Sequence, residues 1–340
     1  MKNQAIQGLR VVFLIGIFLK HLHDSIGFPY IIDFGARGVE FFFVLSGFLT
    51  GIKINYKELS LQSCFSFLFH KLRKFYPLHV LMFLISIPLV ILYTDKDYFN
   101  LLITAFLNVL LLQSWFDFSQ WSYNGVSWFL SALLFCYFSS PIISFICSNL
   151  SKRKIIIITF LVYVLKNILD TIHFLYFNPA YRLMEYFISF NLGFLFRENL
   201  YDKEGLKFKE HKFNDILQVF YFFILIAALF IGDKKWLSVN FIFIYIGLIY
   251  LMFSKGVVHN ILSSQAFNRG GQISLEFFMS HYIVINYVTI LYEKLELSNN
   301  LKIIIISIFS FILTIIFSIF LQKLNKFISC RKEKYKNAPI

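Results

Sequence analysis

A fixed cation and an imidazole share one face of the first apolar segment of the chain. Arg10 and His21 are eleven residues apart. At about 100° and 1.5 Å per residue, this spacing places them about 20° apart around a helix and about 16 Å apart along it. An imidazole titrates near neutral pH and can take a proton from an attacking hydroxyl. The pattern predicts a general base at His21, although a histidine that only hydrogen-bonds a neighbouring span would show the same spacing.

The neighbours of His21 have different predicted roles. Asp24 follows three residues later, so we expect its carboxylate to reach and orient the His21 ring. His23 lies about 200° around the helix from His21, so it cannot point into the same pocket and is predicted to be structural. His79 is predicted at the inner end of a later span, outside the reaction centre.

Three cations precede the third apolar run, namely Lys71, Arg73 and Lys74. Positive side chains at this position fit either the bias of basic residues toward the cytoplasmic side or the binding of a phosphate group. Charge alone favours the first interpretation and leaves the second open.

Three further patterns lie in apolar surroundings. Ser274 and His281 are seven residues apart and therefore share a helix face, which by itself predicts a hydrogen bond between helices. Ser46 and Gly47 form a small-residue face that predicts close helix packing. Trp128 begins an apolar run and resembles an interfacial tryptophan.

Composition defines the class of protein. The 340 residues are 58% hydrophobic and 15% charged, against about a quarter charged in soluble domains. This predicts an all-α polytopic membrane protein and excludes an ordinary soluble enzyme. The net charge of +13 comes from clusters between apolar runs, so it indicates membrane topology and no nucleic-acid partner.

The four cysteines show no paired spacing, and we expect neither disulfides nor a metal site. The first apolar segment lacks a cleavage site for a signal peptide.

Ten apolar runs are long enough to be candidate spans. With a cytoplasmic N-terminus, the inner loops carry 21 lysines and arginines and the outer loops carry 7. An eleventh run, Leu101–Trp115, would reverse this bias if it crossed, so it is predicted to be a re-entrant or interfacial helix that covers an outward-facing pocket. Residues 1–322 are predicted to form one membrane domain and residues 323–340 a basic cytoplasmic tail. The predicted spans are 7–24, 36–54, 77–94, 126–147, 155–171, 184–197, 216–232, 237–254, 273–292 and 303–322.

Four separated segments, in order between residues 10 and 281, resemble the acyltransferase-3 family of integral-membrane O-acyltransferases that modify envelope sugars. The first is Arg10 and His21 followed by GARGVEFFFVLSGFL from Gly35 to Leu49, and the second is HKLRKFYP from His70 to Pro77. The third is WFLSALLFCY from Trp128 to Tyr137, and the fourth is GQISLEFFMSH from Gly271 to His281. Each motif is weak alone, and their joint order is specific.

The resemblance implies a donor and an acceptor. The donor is an acyl-coenzyme A, with acetyl expected, whose phosphates contact Lys71, Arg73 and Lys74 together with Arg10. The acceptor is a hydroxyl of an envelope glycan or a lipid-linked sugar. The family usually has arginines where Lys71 and Lys74 stand, and lysine loses the bidentate phosphate geometry. The resemblance also implies a plasma-membrane location, and it places five residues at the substrate pocket: Glu40, Ser46, Trp128, Ser274 and His281.

One departure from the family concerns Leu133. Many relatives have a glutamate there, so one carboxylate is missing from any proton relay. Two other functions remain open on sequence grounds. A transporter or flippase for a sugar or lipid-linked oligosaccharide would also have many apolar spans, although no internal repeat is visible. A scaffold subunit of a polysaccharide synthase would leave Arg10 and His21 without a role.

Overall fold

The computed structural model shows a helical protein. It describes residues 3–29, 34–52, 54, 58–93, 97–175, 179–202, 205–206, 213–231, 235–293 and 298–336. The α-helices are α1 Gln4–Ile26, α2 Gly35–Gly51, α3 Leu61–Tyr93, α4 Tyr98–Val109, α5 Trp128–Ser148, α6 Lys152–Leu175, α7 Pro179–Leu200, α8 Asn214–Ile231, α9 Lys235–Leu251, α10 Val257–Leu262, α11 Gln265–Gln272, α12 Ser274–Glu293 and α13 Asn299–Lys336.

The short elements lie between these helices. Two-residue strands β1 Tyr201–Asp202 and β2 Gly205–Leu206 pair antiparallel. Three single turns of 3₁₀ helix, at Gln113–Trp115, Asp117–Ser119 and Gly125–Ser127, connect α4 to α5. The prediction of an all-α chain is confirmed apart from the one small hairpin.

Five helices within the described residues are long and apolar enough to cross a membrane. They are Gln4–Ile26, Leu61–Leu92, Gly125–Ser148, Ser274–Tyr292 and Asn299–Asn325, and shorter apolar helices cover Tyr98–Val109, Asn214–Phe230 and Phe241–Leu251. At 1.5 Å per residue, the twelve residues of α4 extend about 18 Å, which is less than the ~30 Å of hydrocarbon. The length of α4 therefore favours the interpretation of Leu101–Trp115 as a segment that does not cross.

The structure corrects the predicted start of the third span. The sequence pattern placed His70–Pro77 in a cytoplasmic loop before a span at 77–94, but α3 is helical from Leu61 and Pro77 lies inside it. The error came from using cations as a boundary. Lysine and arginine are good helix formers, so a helix continues through them as it leaves the hydrocarbon. Similarly, the short predicted span 184–197 lies within the 22-residue helix α7.

Close backbone contact joins α2 to α7. A Cβ added to Gly47 would lie 1.9 Å from the carbonyl oxygen of Phe190, and one added to Gly193 would lie 2.1 Å from that of Val44. Any larger side chain would push the helices apart. This agrees with the predicted packing role of the small-residue face at Ser46 and Gly47.

Helices α1 and α12 run side by side in the same direction. Gly271, just before α12, packs against Gln7, and further along Phe18 contacts Phe277 with ring centroids 5.7 Å apart. This parallel register brings the last third of α1 against the middle of α12, where two histidines meet.

Candidate active site

Two histidine rings form the centre of the site. The ring centroids of His21 on α1 and His281 on α12 lie 5.1 Å apart, and the Tyr282 ring also lies 5.1 Å from His21. His281 is fully buried. Its Nδ1 lies 2.8 Å from the carbonyl oxygen of Phe278, and a carbonyl can only accept, so Nδ1 carries the proton. The Nε2 of His281 has no hydrogen-bond partner among the described residues and therefore presents a free lone pair next to His21.

The side chains beyond His21 are arranged differently from the prediction. Asp24 forms an ion pair with Lys20, one turn earlier, and both are partly exposed. In the part of the chain that the structure describes, no hydrogen bond joins Asp24 to His21. Asp24 still interacts electrostatically with His21, and Lys20 at i−4 pairs with the same carboxylate at the helix surface, so the orienting role stays a prediction. His23 is exposed and its Nδ1 contacts the carbonyl of Phe28, away from the pair.

Arg10 lies about three turns before His21 in a polar pocket of its own. Its NH1 donates to Gln7 Oε1 at 3.3 Å, while its buried Nε has no partner among the described residues. The guanidinium interacts electrostatically with Glu276 on α12 and with Tyr137 on α5. A buried donor without a partner calls for an explanation, and a ligand oxygen would provide one.

Tyr137 connects Arg10 to the basic end of α3. Its buried side chain forms a hydrogen bond with Ser46, and Lys71 Nζ lies 4.4 Å from the centroid of its ring. Arg10, Ser46 and Lys71 therefore converge on one phenol. Sequence reasoning quoted Tyr137 at the end of the Trp128 motif but gave it no role. The sequence feature that could have identified Tyr137 is its hydroxyl group within an apolar helix.

The other two cations of this segment lie at the surface. Arg73 and Lys74 are exposed, and the carbonyl oxygen of Lys74 accepts from Asn325 near the end of α13, at 3.5 Å. Four residues were predicted to contact the donor. Arg10 and Lys71 both interact with Tyr137, whereas Arg73 and Lys74 lie at the protein surface.

Glu40 belongs to a buried ion cluster. Its Oε1 lies 2.9 Å from Lys166 Nζ on α6 and accepts from Ser189 at 3.1 Å, and its Oε2 lies 3.8 Å from Arg37 NH1. The side chains of Glu40 and Lys166 are 5% and 4% exposed. The carboxylate is occupied by cations, so the structure places Glu40 in a helix–helix contact of α2, α6 and α7. Lys166 was missed, although a lone lysine inside a run such as ITFLVYVLKNIL was visible.

Trp128, Ser274 and Leu133 are all buried. Trp128 is buried, with its ring 5.8 Å from Trp121 and 5.4 Å from Tyr186. Ser274 is the buried first residue of α12. Leu133, where relatives have a glutamate, packs in the apolar core.

The segment between α4 and α5 packs against α12 beside His281. Asn124 Nδ2 donates to the carbonyl of Met279 at 2.9 Å, and Gly125 lies against the Tyr282 ring. Buried polar side chains hold the segment, with Gln113 Nε2 donating to Ser127 at 3.0 Å and Asn108 Nδ2 donating to Ser122 at 2.6 Å. This agrees with the expectation that the linker covers a pocket.

Among the residues described, no group of three His, Cys, Asp or Glu could hold a metal ion. The features above define a helical membrane protein with a pair of contacting histidines and, about three turns away along the same helix, a cation with a buried unpaired donor atom. The chain belongs to the acyltransferase-3 family, since the family model described as "Acyltransferase domain" matches residues 3–322. No curated protein and no solved structure matches the chain.

Proposed function

We propose that the protein is an O-acetyltransferase that moves an acetyl group from cytoplasmic acetyl-coenzyme A to a hydroxyl of an envelope polysaccharide or lipid-linked sugar. Membership of the family supports acyl transfer at a membrane. The observation that carries the proposal is the pair His21 and His281, whose rings lie 5.1 Å apart with an unpaired Nε2 on His281.

The histidine pair suits proton transfer from an alcohol. As the acceptor oxygen attacks the thioester carbonyl, its proton moves to a ring nitrogen of His21, and the C–O bond forms. The tetrahedral intermediate then collapses, the C–S bond breaks, and the thiolate takes the proton back from the imidazolium. His281 acts as a positioning residue: its Nδ1 is fixed on a carbonyl, so its Nε2 can accept a hydrogen bond from the charged His21 ring.

The donor site follows from the cations. Arg10, with its buried unpaired Nε, and Lys71, above the Tyr137 ring, would hold phosphate oxygens, and the exposed Arg73 and Lys74 would contact the nucleotide end. His21 lies about 16 Å further along α1 than Arg10. The long pantetheine arm spans this distance and brings the thioester to the imidazole.

We also propose ten crossings of the plasma membrane with both termini in the cytoplasm. The excess of basic residues in the predicted inner loops supports this orientation. We keep the domain limits predicted from the sequence, a membrane domain at 1–322 and a basic tail at 323–340. Helix α13 continues across this limit to Lys336.

The topology predicts which single cysteines react with an impermeant reagent in intact cells. In a background without the four native cysteines, a cysteine at position 234 should react from outside and one at position 153 only after lysis. Position 234 lies outside the described residues, and Arg153 is exposed at the start of α6. External labelling at 153 would mean that Leu101–Trp115 crosses and that the ten-span arrangement is wrong.

The function itself is tested with purified protein and acetyl-coenzyme A labelled in the acetyl group. Label should pass to an envelope glycan from cells that lack the enzyme, and one coenzyme A thiol should appear per acetyl transferred. Binding of the glycan and its movement across vesicles without any transfer of label would instead identify a transporter.

Changing Lys71 and Lys74 together to glutamine should raise KM for acetyl-coenzyme A about tenfold or more and change kcat much less. Distant phosphate contacts act equally in the ground and transition states, so their loss appears mainly in KM. The matched control is Lys152→Gln with Lys154→Gln, two exposed cations at the start of α6. If both double variants had the same KM for acetyl-coenzyme A, Lys71 and Lys74 would serve only to set the membrane topology.

A further inference from the structure

A cavity of ≈ 270 Å³ lies beside Tyr282, whose ring contacts His21. The C-terminal end of α3, helix α4, the segment 118–123 and the middle of α12 line it, and one side is open. Its wall combines aromatic rings with carboxylate and amide groups, on a surface that is otherwise largely apolar. The residues that matter here are Asp97, Asn100, Trp121, Tyr123, Tyr282 and Asn286.

The aromatic part of this wall is held in place. Tyr123 has a φ of 58°, a left-handed conformation that a bulky residue rarely adopts. Its hydroxyl donates to the carbonyl of Leu101 at 2.8 Å, and its ring lies 4.6 Å from that of Phe83. The Trp121 ring packs edge-on to Trp128, yet Trp121 remains 53% exposed. Strain of this kind persists where the surroundings fix it, commonly at ligand sites.

One side chain joins the cavity to the reaction centre. Tyr282 lines the cavity and also contacts the His21 ring edge-on at 5.1 Å. A Cβ added to Gly125 would lie 3.1 Å from the Tyr282 ring, so the absence of a side chain at position 125 lets the ring stay there. A molecule in the cavity therefore lies against the same ring that contacts the proposed base.

We propose that this cavity binds the acceptor through one sugar ring, with Trp121 and Tyr123 packed on the ring and Asp97, Asn100 and Asn286 hydrogen-bonded to its hydroxyls. The inference rests on the proposed function and adds the location and the size of the acceptor site. Aromatic faces pack against the C–H groups of a pyranose, and carboxylate and amide groups satisfy hydroxyls. A purely apolar lipid tail would offer these polar groups no hydrogen-bond partner.

The volume decides how much of the acceptor enters. Pockets for drug-sized ligands measure about 300–1,000 Å³, so a cavity of ≈ 270 Å³ holds a single ring. Phe118 and Trp121, at its edge, are 56% and 53% exposed. The rest of the glycan therefore extends outward, whether it is a polymer or a sugar on a lipid carrier.

The test uses Trp121→Ala in the full-length protein. Its probe is alkali-treated envelope glycan, offered as separate lipid-extracted and polymer fractions. We expect KM for the fraction that wild type acetylates to rise about tenfold or more, with KM for acetyl-coenzyme A unchanged. Trp121→Phe, which keeps a ring, should restore most of the acceptor affinity. Asn286→Ala, on a different element, should raise the same KM with no effect on the donor.

Trp115→Ala is the matched control. Trp115 is similarly exposed at 47%, packs on Phe135 and lies outside the cavity wall. Normal acceptor KM in both Trp121→Ala and Asn286→Ala, or an equal rise in Trp115→Ala, would overturn the proposed site. Failure of the wild type to acetylate either fraction would instead overturn the proposed function. The fraction that is used identifies the source of the sugar.

Discussion

Replacing His21 with alanine is expected to lower the rate of acyl transfer by about 10²–10⁴-fold, the usual contribution of a positioned general base. An alcohol is a weak nucleophile until its proton leaves, and His21 is the imidazole that contacts both His281 and the cavity-lining Tyr282. The measurement is acetyl incorporation by membranes that hold equal amounts of each variant. The KM for acetyl-coenzyme A should change little, because the predicted phosphate contacts lie three turns away.

His23→Ala is the control for this substitution. It removes the same ring two residues later on the same helix, but His23 is exposed and contacts the carbonyl of Phe28. We expect it to keep substantial activity. His281→Ala should weaken transfer without abolishing it, since His281 acts through His21. Full activity in His21→Ala would refute the assignment, and complete loss confined to His281→Ala would move the base to α12.

The sequence predicted the helical class of the fold and the alignment of Arg10 with His21, because both follow from composition and helical period. It also indicated that the linker after α4 covers a pocket. The ion pair of Asp24 could not be predicted, since Lys20 and His21 are both in reach of that carboxylate and the choice depends on what surrounds α1. The burial of His79, whose Nε2 lies 2.8 Å from the carbonyl oxygen of Asn108, could not be predicted, since the contact joins α3 to α4.

Contacts between distant helices were beyond the sequence. Tyr137 meets Lys71 and Ser46 through the packing of α2, α3 and α5, and hydropathy carries no information on which helices are neighbours. Lys166 could have been flagged by its charge in an apolar run, but its partner is 126 residues earlier in the chain. The motif that assigned Glu40 to the substrate pocket carries no information about this ion pair.

Replacing Glu40 with alanine is expected to lower the free energy of unfolding by about 3–5 kcal/mol, the cost of leaving one partner of a buried ion pair uncompensated. Lys166 would keep its charge in a site where its side chain is 4% exposed, with Arg37 adding a second cation nearby. The measurement is the denaturant midpoint and slope for protein in detergent micelles. Glu58→Ala, which removes an exposed carboxylate, serves as the control and should change stability by less than about 0.5 kcal/mol.

The double variant Glu40→Leu with Lys166→Leu separates the ion pair from any role of Glu40 in catalysis. Removing both charges leaves no uncompensated cation at Lys166, so the double variant should be more stable than Glu40→Ala. If Glu40 is only a packing partner of α6, the double variant should also keep most of the acetyl transfer. If the double variant regained stability but still transferred no acetyl group, Glu40 would have a role in the substrate pocket. Unchanged stability in Glu40→Ala would show that the contact with Lys166 contributes nothing to holding α2 against α6.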